Sequence, residues 1–154
     1  MKRALLPAAV VAAGVLVFAV MSATAGSSRT NSSSTVHVIE HAITDAVTNG
    51  TKADKAGNVL TFANPVYDSA DAKKVGSDSG FCVRIVLKKS WECLWTTFLS
   101  GGQITVEGPF SDTGNTVLAI TGGTGTYANA RGSMDLKYHT KTGTKFDFVF
   151  HLSG

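Results

Sequence analysis

The segment from Lys145 to Leu152, KFDFVFHL, decides the fold class, because bulky apolar side chains recur at every second position. A period of two is that of a β-strand, whose successive side chains point to opposite faces. Phe146, Phe148 and Phe150 therefore share one face, and the charged residues of the segment share the other. The three phenylalanines are predicted to anchor a core or to line a ligand pocket.

The same pattern of strands and turns extends back from this segment through most of the chain. Further strands are predicted at residues 37–44, 59–62, 81–87, 91–99, 103–110, 117–121 and 132–140. No stretch keeps a 3.6-residue apolar period for three turns, and glycines punctuate the chain throughout. About eight short strands favour a barrel or a sandwich. We expect an all-β domain, an eight-stranded antiparallel β-barrel, because closure removes exposed sheet edges.

The two cysteines, Cys82 and Cys93, lie on predicted strands that form a hairpin. A turn at Lys88 and Lys89 places them diagonally on one face, and a shift of the turn by one residue places them directly opposite each other. Either arrangement suits a disulfide, which is expected to stabilise the fold by about 2–3 kcal/mol. Trp95 shares the face of Cys93, where it either packs against the disulfide or lines a pocket.

The N-terminus has the pattern of a secretory signal. Two basic residues precede an apolar run from Ala4 to Met21, and Ala23 and Ala25 form a small-residue cleavage site. We predict that residues 1–25 are a cleaved signal peptide and that the protein is secreted, into surroundings that favour a disulfide. The alternative is an uncleaved membrane anchor, because the apolar run approaches the length that a bilayer requires.

The remainder of the chain divides into a linker and one domain. Residues 26–35, GSSRTNSSST, are predicted to be a short, disordered, Ser-rich linker, and residues 36–154 are predicted to form the barrel. The net charge of the whole chain is +3, and two of its positive charges belong to the predicted signal peptide. No aromatic residues interleave with the basic pairs of the domain, so no nucleic-acid partner is expected. No membrane partner is expected after signal cleavage.

Two further classes of chemistry lack support in the residue pattern. The four histidines and two cysteines show no spacing typical of metal ligands, so no metal is expected. The chain contains no G-x-S-x-G nucleophile motif, which argues against a hydrolase.

Glycines cluster between Ala119 and Gly132, in the sequence AITGGTGTYANARG. This run lacks the G-K-[ST] of a phosphate-binding loop and opens no helix before the next predicted strand. A tight β-corner accounts for it better, because glycines allow positive φ angles or close approach of two backbones. Tyr127 is expected to pack over this turn.

The glycine-rich segment resembles the signature of the allene oxide cyclase barrel superfamily, which also contains the plant dirigent proteins. Three other segments resemble that superfamily in the same order along the chain. They are residues 57–68 (GNVLTFANPVYD), residues 75–82 (VGSDSGFC) and residues 102–108 (GQITVEG). The resemblance covers residues 57–152 and implies an eight-stranded antiparallel barrel with an apolar cavity, assembled as a dimer or a trimer.

The resemblance also implies a type of function. Members of this superfamily hold a reactive or flexible small molecule and control its ring closure or coupling without a cofactor. A cavity of this kind acts by holding the substrate in one near-reactive conformation. A secreted, cofactor-free cyclase, isomerase or coupling guide for an apolar small molecule is therefore expected. The alternative is a non-catalytic extracellular barrel that binds a hydrophobic ligand or a protein partner.

Polar candidates for such a site are few. Arg131 closes the glycine signature, where it either reaches the cavity mouth to hold an anionic group or ties down the β-corner. Glu107 is an acid–base candidate if it faces inward, but its neighbours on the strand place it opposite the apolar face. The resemblance to the superfamily places Tyr67 at the end of a strand, and this residue is a candidate to contact the ligand.

Overall fold

The computed structural model describes residues 33–47 and 54–153, which form an all-β domain. The strands are β1 Ser33–His41, β2 Ala46–Val47, β3 Val59–Phe62, β4 Pro65–Asp68, β5 Lys74–Val86, β6 Ser90–Leu99, β7 Gly102–Ser111, β8 Thr116–Gly123, β9 Arg131–Tyr138 and β10 Lys145–Ser153. No helix within these two ranges is long and apolar enough to cross a membrane. The predicted signal peptide and residues 26–32 of the predicted linker lie outside the described residues, and β1 begins three residues before the predicted start of the domain.

The strands close into an eight-stranded antiparallel barrel, as predicted. The segments β1 and β2 form one interrupted strand of the barrel, and β4 and β3 form the strand beside it. β5 pairs with both β3 and β4 on one side and with β6 on the other. Pairing then runs in sequence order to β10, which closes the ring against β1. Each strand of the barrel therefore pairs with its neighbours in sequence, which makes an up-and-down barrel.

Alternation along each strand places one set of apolar side chains inside the barrel. On β10 these are Phe146, Phe148 and Phe150, which are buried as their period of two predicted. The other buried apolar side chains of this core are Val38, Val66, Cys82, Trp91, Cys93, Trp95, Ile104, Val106, Leu118, Ile120, Ala130, Met134 and Leu136. Phe148 packs against Trp95 with ring centroids 5.3 Å apart and against Phe150 at 6.4 Å.

The glycine-rich segment closes one end of the barrel. Gly125 has a φ of +60° and begins a short 3-10 turn that ends at Tyr127. Gly123 lies so close to the next loop that an added Cβ would stand 2.3 Å from the carbonyl oxygen of Tyr127. The ring of Tyr127 packs on the core at this end, so the predicted β-corner is confirmed.

The predicted disulfide joins Cys82 and Cys93, which are directly paired on β5 and β6 with their Cα atoms 4.0 Å apart. Of the two arrangements that the sequence allowed, the directly opposed one is therefore present. A three-residue turn after Val86 and a β-bulge between Arg84 and Val86 together produce this register. Both cysteines are buried inside the barrel, so the bond forms part of its inner wall.

Candidate functional site

Apolar core side chains occupy the half of the barrel nearest the glycine corner, and a pocket of about 210 Å³ lies beside Ser34 and Tyr127 at that end. A chamber lies in the other half. The chamber has a volume of about 40 Å³, which is room for a few water molecules. Phe62, Trp95, Phe146, Phe148 and the disulfide supply most of its apolar lining. One buried acidic side chain, Glu40, also lines it.

Glu40 faces the chamber because β1 pairs with β10 in a register that places it opposite Phe146. Its side chain is only 5% exposed, and no lysine or arginine pairs with it in the part of the chain that the structure describes. Burial removes the carboxylate from water, and the nearby Asp78 carboxyl opposes a second negative charge. Both effects raise the pKa of Glu40 well above its usual value and so favour its protonated, uncharged form.

Asn64 holds Glu40 in place. Its side-chain amide donates one hydrogen bond to Glu40 Oε1 and another to Asp45 Oδ1, each at 2.8 Å. Its carbonyl oxygen accepts from the backbone N–H groups of Ile43 and Thr44, at 3.0 and 2.9 Å. Asn64 thus bridges the break between β1 and β2 with its side chain and fixes the acid that lies beside that break.

Asp78 lies behind Glu40 and is 1% exposed. Its Oδ1 atom accepts from the backbone N–H of Asn64 at 3.2 Å, whereas Oδ2 has no hydrogen-bond partner among the described residues. Burial raises the pKa of Asp78 to about 7, although the contact with Asn64 opposes this shift. Glu40 and Asp78 therefore form a pair of buried carboxyl groups that retains protons at pH values where exposed carboxyl groups have lost them.

Trp95 adds a hydrogen-bond donor to the wall of the chamber. Its ring is 2% exposed, and its indole N–H has no acceptor among residues 33–47 and 54–153. A buried donor without a partner costs about 1–3 kcal/mol, so an acceptor on a bound molecule would relieve this cost. The chamber therefore combines apolar walls with a buried carboxyl of raised pKa and, on Trp95, an indole N–H that has no acceptor among the described residues.

A wider cavity of about 420 Å³, which we call the vestibule, lies outside the chamber. The two cavities share four lining residues, Asp45, Leu60, Phe110 and Phe146, which we call the throat. Strand ends and turns from several parts of the chain form the vestibule, with Trp91, Tyr138 and Lys141 among its lining residues. Glu40 therefore lies on the inner side of the throat, at the end of the barrel opposite the glycine corner.

Arg84 builds one side of the vestibule. Its guanidinium lies 3.8 Å from the centre of the Trp91 ring and pairs with Asp54 and Asp112 at 2.8 and 2.7 Å. Asp112 also accepts a hydrogen bond from Trp91 Nε1 at 3.0 Å. The positive charge of Arg84 is thus matched by two carboxylates, which makes this wall rigid.

The structure brings together some of the predicted ligand-contacting residues and not others. Phe146, Phe148 and Trp95 line the chamber. Phe150 is buried in the half of the barrel nearest the glycine corner and lines neither the chamber nor the vestibule. Tyr67 lies on the outer face of β4, where its ring stacks on His41 at 4.0 Å, so it does not line these cavities either.

The two predicted catalytic residues lie away from the chamber. Glu107 is exposed on the outer face of β7, and Arg131 is exposed at the glycine corner, where Nη1 donates to the carbonyl oxygen of Ala130 at 2.7 Å. This contact matches the alternative in which the arginine ties down the corner. A catalytic role for either residue stays a prediction that placement does not favour.

Sequence reasoning missed Glu40 and Asp78. Glu40 stands in the predicted first strand, but the apolar Val38 and Ile39 before it hide the alternation that would place it inside. Both residues are in fact buried. Val38 lies inside the barrel, and Ile39 lies on the outer face under other side chains. Asp78 lies between two serines, with no sign in the local pattern that it faces a core.

The chain belongs to the allene oxide cyclase family, whose family model matches residues 39–154. Among solved structures, pyocyanin demethylase is 25% identical, with a TM-score of 0.62 over 75% of this chain and 98% of that chain. A pterocarpan synthase dirigent protein is 22% identical, with a TM-score of 0.61 over 80% and 97% of the two chains. An exo-specific intermolecular Diels-Alderase shares the fold at 18% identity and a TM-score of 0.65, over 80% and 99%.

Proposed function

We propose that this protein binds an apolar small molecule in its barrel and guides a cofactor-free cyclisation, isomerisation or coupling of that molecule. The observation that carries the proposal is Glu40, a buried carboxyl with a raised pKa, on the wall of an otherwise largely apolar chamber. A carboxyl group whose pKa is raised by burial holds its proton to higher pH than an exposed one and can serve as a general acid. The family to which the chain belongs and its ring-forming structural neighbours, a dirigent pterocarpan synthase and a Diels-Alderase, support this class of reaction.

The residues of the chamber suit such a reaction in three ways. The apolar walls restrict a flexible molecule to few conformations and exclude water, which lowers the entropic part of the barrier. Glu40 donates its proton to an oxygen on which negative charge develops, and the Trp95 N–H stabilises the same charge. The resulting Glu40 carboxylate takes a proton back from a carbon of the reacting molecule, so the molecule gains and loses one proton and the acid is restored in each cycle.

We further propose that the mature protein is exported and acts outside the cell. The support is the signal-like N-terminus and the Cys82–Cys93 disulfide, a bond that is typical of oxidising compartments. Assembly as a dimer or a trimer stays a prediction from the family resemblance, and light scattering of the purified protein tests it.

The second candidate function is non-catalytic binding of a hydrophobic ligand. It is favoured by the small size of the chamber, which leaves little room for a substrate to change shape. On this account Glu40 and Trp95 hold a polar group of the ligand without proton transfer.

Native mass spectrometry of the protein from its own host, before and after organic extraction, tests the proposal. We expect a co-purifying apolar molecule that has the mass of a ring-closed or coupled product. Its precursor should be converted by the native protein and by Glu92→Gln, an exposed matched control, but not by Glu40→Gln. Glu107→Gln and Arg131→Ala test the two earlier candidates in the same assay. A ligand that is bound but returned unchanged by every variant would favour the binding function.

A further inference from the structure

We infer that the ligand is a flat, uncharged aromatic molecule whose ring system lies in the vestibule and whose oxygen-bearing edge alone passes the throat to reach Glu40. This inference rests on the proposed function, because it names the class of molecule that the same site binds. It goes beyond that function by assigning the vestibule as the main binding surface and by excluding flexible aliphatic chains as preferred ligands.

The two cavities differ about tenfold in volume. The chamber, at about 40 Å³, has room for a few water molecules and not for the body of an organic ligand. The vestibule is about ten times larger, at about 420 Å³. A molecule that touches Glu40 must therefore keep most of its volume in the vestibule and insert only a small part through the throat.

The side chains around the throat favour flat rings. Phe110, Tyr138 and Phe146 form an aromatic cluster, with centroid distances of 4.9 Å between Tyr138 and Phe146 and 5.6 Å between Phe110 and Phe146. The rings of Phe110 and Tyr138 lie within 28° of parallel at 6.2 Å. Tyr138 cannot turn freely, because its hydroxyl donates to the Ser111 carbonyl oxygen at 2.8 Å. This group of rings presents ring faces and edges to a ligand. An aromatic ring packs against them more favourably than an alkyl chain does.

The charges around the vestibule select against an ionic ligand. Its lining carries two acidic residues, Asp45 and Asp112, and two basic residues, Arg84 and Lys141, so their formal charges cancel. The guanidinium of Arg84 is already paired on both sides. In the chamber wall, the Trp95 N–H has no acceptor among the described residues, and the raised pKa of Glu40 favours the protonated form that donates a hydrogen bond. Both groups can donate a hydrogen bond, so the inserted edge of the ligand should carry an oxygen that accepts it.

Isothermal titration of the purified, disulfide-bonded protein with two uncharged primary alcohols tests the inference. The probes are 2-naphthalenemethanol, which has a flat fused ring, and 1-nonanol, which is a flexible chain. We expect 2-naphthalenemethanol to bind at least tenfold more tightly. Phe110→Leu should weaken its binding by about five- to tenfold, as expected for the loss of one aromatic contact, and should leave 1-nonanol unchanged. Phe81→Leu, the same substitution on the outer face, should change neither affinity.

The outcomes separate this inference from the function on which it rests. If 1-nonanol binds as tightly as 2-naphthalenemethanol, or if Phe110→Leu weakens both equally, the aromatic ligand class is wrong and the proposed apolar-ligand function stands. If neither alcohol binds, the proposed function fails and the ligand class fails with it.

Discussion

Replacement of Asp78 by asparagine should reduce the loss of stability that we expect as the pH rises from 4 to 8, a loss to which Glu40 also contributes. The folded protein keeps a proton on Asp78 up to a pH of about 7, whereas an unfolded chain releases it near 3.8. Between these values unfolding releases a proton, so the free energy of unfolding falls as the pH rises. This stabilisation of the folded state is fully present below pH 3.8 and is lost as the pH rises through the folded-state pKa of about 7.

The size of the effect follows from the pKa difference. A shift from 3.8 to about 7 is about three pH units, and each unit corresponds to about 1.4 kcal/mol, so Asp78 accounts for about 4 kcal/mol. Asparagine has the same shape, can still accept the Asn64 N–H through its carbonyl oxygen, and carries no charge at any pH. The stability of Asp78→Asn relative to the native protein should therefore increase by about 4 kcal/mol between pH 4 and pH 8.

Urea unfolding followed by tryptophan fluorescence at several pH values measures this difference directly. Asp135→Asn is the matched control, because Asp135 lies near the surface and its hydrogen bond with Lys137 lowers its pKa. A lowered pKa acts in the opposite direction, so this control should not remove the fall in stability. A constant difference between Asp78→Asn and the native protein across the pH range would show that Asp78 is ionised in the folded state, and the description of the buried carboxyl pair would be wrong.

Two further predictions concern the stability of the barrel. Phe148→Ala should lower the free energy of unfolding by about 3–5 kcal/mol in chemical denaturation, because it removes a buried ring and enlarges the chamber beside Trp95. A cost below about 1 kcal/mol would mean that the Phe148 ring is loosely packed. Reduction of the Cys82–Cys93 disulfide should lower the free energy of unfolding by about 2–3 kcal/mol in the same assay, because the bond closes a short loop with a sequence separation of 11. An unchanged denaturation midpoint would refute this.

Most of the barrel could be predicted from the sequence because its signals are local. The alternation in β10 and the glycine-rich corner each determine a strand or a turn through residues that are close together in the chain. The disulfide pairing followed from hairpin geometry, but the register did not, because the sequence pattern gave no sign of the bulge between Arg84 and Val86. Strand alternation also placed Glu107 opposite the apolar face, where the structure has it exposed.

The candidate site could not be predicted in the same way, because it depends on contacts between distant segments. Glu40 acquires its raised pKa from burial by the whole barrel and from Asp78, which lies 38 positions further along the chain. Asn64 is an ordinary turn residue in the sequence, and only the interrupted pairing of β1 and β2 turns it into the residue that positions Glu40. An inward-facing polar residue is hard to recognise in a sequence when the adjacent, outward-facing residue is apolar and buried, because the strand then shows no polar–apolar alternation.

The central claim is that Glu40 is a protonated acid inside the barrel, and its side-chain carboxyl ¹³C resonance tests that claim most directly. The resonance is assigned by its disappearance in Glu40→Gln and is followed as the pH is raised. We predict that it titrates well above the usual glutamate value of 4.5 and still shows the protonated form when exposed carboxyl groups have ionised. A midpoint close to 4.5 would mean that Glu40 is an ordinary carboxylate and would contradict its proposed role as the proton donor.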